Sequence, residues 1–172
     1  MTPTEAIDHW LRQVVVGQNF CPFAGKPLAN GEIVLQEVLA SNIEEVLLSC
    51  HTVLESFRKN ESQETLLFVL PKGFSDFMDF LDLADTFELM LEDSFGDELS
   101  LATFHPEYQF AEFAPDDVVH HIHRSPYPIL HVLREDSIDL VREGMEDTTA
   151  ITARNHAHAK TLGVSFFQQF KA

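Results

Sequence analysis

Residues 65–73 read TLLFVLPKG and identify one strand from which the rest of the fold can be inferred. The segment from Thr65 to Leu70 is almost wholly apolar, and Pro71 and Gly73 end it. A run this short, bounded by turn residues, predicts a strand buried on both faces rather than a helix. The segments on either side of it alternate between helical and strand patterns.

Helical spacing of apolar residues and capping residues mark the elements around this strand. Thr2 and Glu5, and again Ser41 and Glu44, have the spacing of a capping box. Helices are predicted to begin near residues 2, 41, 75, 136 and 149, and strands to cover residues 32–39, 65–70, 99–104 and 128–134.

The alternation of strand and helix predicts an α/β fold, with residues 1–172 forming a single domain. Right-handed crossovers would make the first three strands parallel, and we expect a fourth, antiparallel strand in a mixed sheet with flanking helices. Ligand sites in such sheets favour the carboxyl edge of the strands. His105 and residues 124–127 are therefore expected to meet at that edge.

The charge balance limits the possible partners. The chain has 11 Lys and Arg against 28 Asp and Glu, a formal net charge of −17. Nucleic acid and an anionic membrane surface are excluded as partners because both need a basic footprint. A small anionic ligand remains possible, because one arginine in a pocket can oppose the overall field. No cofactor and no oligomeric state are indicated.

Cysteine usage and the N-terminal segment bear on location. Cys21 and Cys50 are the only cysteines, and they do not form a CxxC motif. The chain opens with a capped polar helix instead of an export signal, and no apolar run is long enough to span a membrane. We therefore expect a cytoplasmic protein with reduced thiols. Cys50 lies on an apolar helical stripe and is predicted to be a core residue.

Residues 105–127 lack clear periodicity, which is unusual for so long a segment in a compact domain. The segment is too aromatic for disorder, so it is predicted to pack over the sheet, either as a functional loop or as a structural Ω-type loop. Arg124 lies at its end, in the rigid turn RSPYP at 124–128. Its guanidinium could clamp a carboxylate or phosphate, or form an internal salt bridge.

Three residues are candidates for catalysis. His105 and His131 could serve as acid or base near neutral pH, but a histidine bonded to a loop carbonyl and a core histidine are alternative interpretations. Glu135 or a backbone group could be the partner of a buried His131. Cys21 would need a nearby base to act as a nucleophile, and its apolar neighbours favour a structural thiol instead.

His120, His121 and His123 form a cluster whose spacing matches no zinc motif, so no metal site is predicted. A metal-dependent hydrolase that uses this cluster with Asp116 or Asp117 remains an alternative hypothesis.

Several of these motifs together resemble a known family. They are NFCPFA at 19–24, FHPEYQF at 104–110, RSPYP at 124–128, and His131 followed by LRE at 133–135. In this order they are similar to the bacterial domain of unknown function 1415 family over nearly the whole chain. That family has Asn before the RSPYP segment, where this chain has His123. The resemblance implies no reaction, but it implies these motif positions: Cys21, His105, Tyr108, Arg124, Ser125, Tyr127, His131, Arg134 and Glu135.

The first hypothesis is therefore an enzyme or binding protein for a small anionic metabolite. Arg124 is the predicted clamp, His105 or His131 the acid or base, and Tyr108, Ser125 and Tyr127 the orienting hydrogen-bond donors; the resemblance adds Arg134 and Glu135 to the ligand-binding set. The alternative is a non-catalytic module that docks a partner protein through the aromatic loop or the acidic third helix.

Overall fold

The structure is a computed structural model that describes residues 1–144 and 148–172. One mixed sheet holds the four strands β1 (Ile33–Glu37), β2 (Thr65–Val69), β3 (Leu99–Phe104) and β4 (Ile129–Arg134). Their order across the sheet is β1-β2-β4-β3. The short apolar run that follows residue 64 thus forms β2, with every residue buried.

The expected run of three parallel strands is wrong. Only β1 and β2 pair in parallel, whereas β4 lies between β2 and β3 and pairs antiparallel with both. The strand β3 therefore points the same way as β2 without being its neighbour. A consequence is that the ends of β2 and β3 and the start of β4 share one edge of the sheet, here called the rim.

Seven helices cover the sheet in the described part of the chain. They are α1 (Pro3–Trp10), which continues into a π-helix (Leu11–Val16), α2 (Gly25–Asn30), α3 (Ile43–Lys59), α4 (Phe77–Phe95), α5 (Glu135–Glu143), α6 (Thr148–Leu162) and α7 (Val164–Phe167). Short 3-10 turns cover Gly96–Glu98, Val118–Ile122 and Gln168–Phe170. None of the described helices is long and apolar enough to cross a membrane.

The helix starts follow from local side-chain bonds. The capping box predicted for α1 is confirmed, because the Thr2 and Glu5 side chains each accept the other's backbone N–H. The cap predicted for α3 at Ser41 is wrong. The side chain of Asn42 accepts the N–H of Glu45 at 3.0 Å and begins the helix instead.

Alternation along the strands gives the sheet two apolar faces, each with its own core. On the first face, Leu66 and Phe68 of β2 pack with α3 and α4, and Cys50 is fully buried there, as predicted. On the second face, Leu67 and Val69 pack with α1, the π-helix and the C-terminal helices.

Candidate functional site

The rim brings the two ends of the aromatic loop together, as the sequence predicts. The His105 N–H donates to the His123 carbonyl at 3.2 Å, so the segment after β3 lies beside the segment before β4. The Arg124 Nε donates to the Tyr108 carbonyl at 3.0 Å. The end of β2 joins the same edge, because the Leu70 N–H donates to the Pro128 carbonyl.

Arg124 is the half-buried cation of the rim. Its Nη1 lies 3.5 Å from Nε2 of His121, and no carboxylate of the described residues is within salt-bridge distance of it. Burial lowers its pKa, while the charge of Glu107 acts in the opposite direction. By contrast, Arg12 and Arg58 each pair with a carboxylate on the surface. An internal salt bridge, the alternative interpretation of Arg124, is therefore not seen.

A second cation and a neutral imidazole border Arg124. Lys171, His121 and Ser125 line a cavity of about 20 Å³ with it, which is room for one water molecule. Burial, and then the positive charges of Arg124 and Lys171, lower the pKa of His121 to about 4. His121 is therefore uncharged at neutral pH, and its ring stacks on Phe167.

The rim also has an open depression of about 450 Å³ beside this cavity. Arg124 and Lys171 form the basic part of its wall, and Asp76 and Glu107 form an acidic part. The depression thus offers cations and carboxylates to the same bound molecule.

His105 is fully buried at the rim, and both of its ring nitrogens are engaged. Nδ1 accepts the Glu107 N–H at 3.0 Å, so Nε2 carries the proton and donates to the Phe74 carbonyl at 2.9 Å. Burial lowers the pKa of His105, which keeps the ring neutral. The ring lies against Phe77 and Phe80 and holds the turn after β2, where Phe74 has a left-handed φ of 53°.

The other residues predicted to donate hydrogen bonds to a ligand at the rim have contacts within the protein. The Ser125 hydroxyl donates to the Tyr127 carbonyl at 2.6 Å. Tyr127 packs against the core of the second face. The Tyr108 ring contacts Phe77 and Phe110, and burial raises the pKa of its hydroxyl.

The three histidines of the cluster lie in three different environments. His120 uses both ring nitrogens, accepting the Phe110 N–H and donating to the Ala114 carbonyl. His121 lies on the arginine side, and His123 lies among the rings of Phe104, Tyr108 and Phe110. Within residues 1–144 and 148–172, no group of three or more His, Cys, Asp or Glu could hold a metal ion. The hydrolase alternative therefore lacks its metal centre in these residues.

The remaining predicted residues lie away from the rim. Cys21, His131 and Arg134 line a separate pocket of about 330 Å³ on the second face, toward the opposite edge of the sheet. Glu135 lines a depression on the first face together with Glu88 and other residues. The four residues whose convergence would favour an active site therefore form two separate groups. His105 and Arg124 lie at the rim, whereas Cys21 and His131 line the other pocket.

The partner of His131 is a side-chain hydroxyl, whereas Glu135 or a backbone group was predicted. Its Nε2 lies 2.6 Å from Oγ1 of Thr65, which itself donates to the Val132 carbonyl at 2.7 Å. Burial lowers the pKa of His131 to about 4. Arg134 donates from Nε and Nη2 to three carbonyls around the end of α3 and lies over the Phe57 ring at 4.3 Å.

Two site residues were not found by sequence reasoning. Thr65 occupies the first position of β2, where its pairing with Leu133 of β4 brings it to His131, and only the strand register reveals this. Lys171 reaches the rim through the fold of the C-terminal segment, which has no sequence motif. No pattern in the sequence around Thr65 or Lys171 indicates that either residue belongs to a site.

Together, the fold and the rim define an α/β protein with a mixed four-stranded sheet and, at the strand ends, a recess lined by two basic and two acidic side chains. A comparison with protein families gives the description "Protein of unknown function (DUF1415)" for residues 2–169. The chain therefore belongs to the DUF1415 family, as the motif resemblance implied. Neither the curated proteins nor the solved structures yield a significant match.

Proposed function

We propose that the protein binds a small metabolite that carries a carboxylate or phosphate group, with Arg124 as the anchor for that group. Lys171 supplies the second positive charge. The rim depression of about 450 Å³ falls in the size range of small-molecule sites.

The observation that carries this proposal is the lack of a carboxylate beside Arg124. The protein has 28 acidic side chains, yet none of those described lies within 4 Å of this half-buried guanidinium. A partly desolvated charge without a counter-ion costs free energy, and a bound anion would remove that cost. Guanidinium groups also match the geometry of carboxylate and phosphate oxygens.

The neighbouring groups suggest what the rest of the ligand carries. Asp76 and Glu107 line the same depression as Arg124. Carboxylates would repel a second negative charge and accept hydrogen bonds from a hydroxyl or amino group. The preferred ligand therefore has an anionic group at one end and hydrogen-bond donors at the other.

The proposal assigns binding rather than proton transfer to the rim. His105 has both nitrogens in internal hydrogen bonds, so it is proposed to fix the turn that carries the depression. His131 lines a different pocket from Arg124, which leaves it outside the rim site. The catalytic roles predicted for both histidines remain predictions.

The alternative of a protein-docking module has no specific support from the described residues. Such a surface would need a contiguous exposed apolar patch. The exposed large apolar side chains of the described helices are spread over four of them: Leu48 on α3, Met78 and Leu89 on α4, Leu140 on α5 and Val164 on α7.

Isothermal titration calorimetry with inorganic phosphate and with citrate tests the proposal. We expect saturable binding by the unmodified protein, at least tenfold weaker binding by Arg124→Gln, and intermediate binding by Arg124→Lys, which keeps the charge but loses the planar fork. Arg12→Gln is the matched control because it removes one exposed positive charge elsewhere. Equal affinities for Arg124→Gln and Arg12→Gln would refute the anchor role. Circular dichroism of each variant separates lost binding from unfolding.

A further inference from the structure

The pocket on the second face is a separate feature from the rim. Its wall comes from the starts of β1 and β2, the end of β4, the segment before α2, and α5. The volume is about 330 Å³, and most of the lining is apolar, including Ile33, Leu67 and Leu133. A concave, mostly apolar pocket of this size with a few polar groups is the usual form of a small-molecule site.

The hydrogen bonds of His131 fix its tautomer. The single hydroxyl proton of Thr65 is donated to the Val132 carbonyl, so Oγ1 can only accept from the imidazole. Nε2 of His131 therefore carries the proton, and Nδ1 is an acceptor. Among the described residues, Nδ1 has no hydrogen-bond partner, although His131 forms part of the pocket wall. The pocket wall thus includes a histidine whose tautomer is fixed and whose Nδ1 is an acceptor without a partner among the described residues.

The charged residues at this pocket do not favour an ionic ligand. Arg134 lines it, but its Nε and Nη2 are engaged with the carbonyls of Phe57, Asn60 and Gln63. Glu64 lines it as well, so the two formal charges oppose each other. An uncharged ligand avoids the cost of bringing an ion into an apolar cavity.

We infer that this pocket is a second binding site, for a small and largely apolar molecule that donates one hydrogen bond to Nδ1 of His131. The site does not depend on the anion at the rim. The apolar walls provide the affinity, because burying apolar surface is favourable in proportion to its area. The histidine provides the orientation.

The two cysteines differ in accessibility, so alkylation of Cys21 can report whether the pocket is occupied. Cys21 lies in the pocket wall and is partly accessible. Cys50 is fully buried in the other core, and burial raises its pKa to about 12. Since the thiolate is the reactive form, iodoacetamide should label Cys21 and leave Cys50 unmodified in the folded protein.

The test uses N-phenyl-1-naphthylamine, an uncharged apolar fluorophore with a single N–H donor. We expect saturable fluorescence enhancement, and slower labelling of Cys21 in proportion to occupancy. His131→Phe keeps a ring but removes the acceptor, and it should weaken binding roughly tenfold, the effect of one hydrogen bond. This variant should fold, because Thr65 still donates to the Val132 carbonyl.

Two tryptophan substitutions, one inside the pocket and one outside it, test the location of the bound probe. Leu133→Trp fills the pocket and should abolish both the fluorescence and the protection of Cys21, whereas Leu48→Trp, on the exposed face of α3, should change neither. Binding that does not saturate would overturn the inference. Binding that saturates but neither protects Cys21 nor weakens in His131→Phe would also overturn it, because the probe would then lie elsewhere. Neither outcome bears on anion binding at the rim.

Discussion

Acidification should destabilise the fold through His131, whose pKa is lowered to about 4 by burial. In the unfolded chain, histidine titrates near its ordinary value of 6.5. As the pH falls below that value, the unfolded state gains a proton that the folded state does not bind. Stability is therefore complete above pH 6.5 and is lost progressively as the pH falls toward 4. The linkage relation makes this loss about 2 kcal/mol at pH 5 for one such group.

Urea unfolding at pH 8, 7 and 5 measures this effect when His131→Phe is compared with the unmodified protein. The loss of unfolding free energy between pH 7 and pH 5 should be smaller in the variant by about 2 kcal/mol. Between pH 8 and pH 7 the two proteins should change in parallel, because this histidine is neutral throughout that range. Equal losses between pH 7 and pH 5 would refute the assignment of His131 as a neutral group whose pKa is lowered by desolvation.

The turn after β2 gives two more predictions, both measured by urea unfolding at pH 7. His105→Phe keeps the ring contacts but leaves the Phe74 carbonyl and the Glu107 N–H without their partner, so we expect a loss of about 2–4 kcal/mol; a loss below about 0.5 kcal/mol would show that these bonds do not hold the turn. Gly73→Ala would put Cβ 2.9 Å from Cα of Ser41 at a φ of 71°, and we expect a loss of about 1–3 kcal/mol. A stability equal to that of the unmodified protein would show that the backbone relaxes freely there.

The elements of the sheet could be predicted from the sequence better than their arrangement could. The apolar run of β2 and the alternation in β4 specify strands and faces, because side-chain period depends only on local geometry. The alternation of side chains along a strand does not specify which other strand lies beside it in the sheet. The insertion of β4 between β2 and β3 depends on how the long aromatic loop returns to the sheet, which is a tertiary property.

The same distinction applies to the candidate residues. The meeting of Arg124 with Tyr108 follows from two loop ends that share one sheet edge, so strand direction was enough to predict it. The separation of His131 from Arg124 was not predicted, because it depends on the hydrogen bond that directs the imidazole toward Thr65 at the start of β2. Lys171 lies far from the other rim residues in sequence, and only the packing of the C-terminal segment brings it to the rim.

The proposed anion site at the rim has Arg124 as its anchor. Crystals soaked in sodium selenate test it most directly, because the anomalous signal of selenium locates this dianion without assumptions about the natural ligand. We expect a selenate within hydrogen-bond distance of the Arg124 guanidinium and beside Lys171, in the rim depression. Selenate bound only at exposed arginines such as Arg58, or a carboxylate of the protein seated on Arg124, would contradict it.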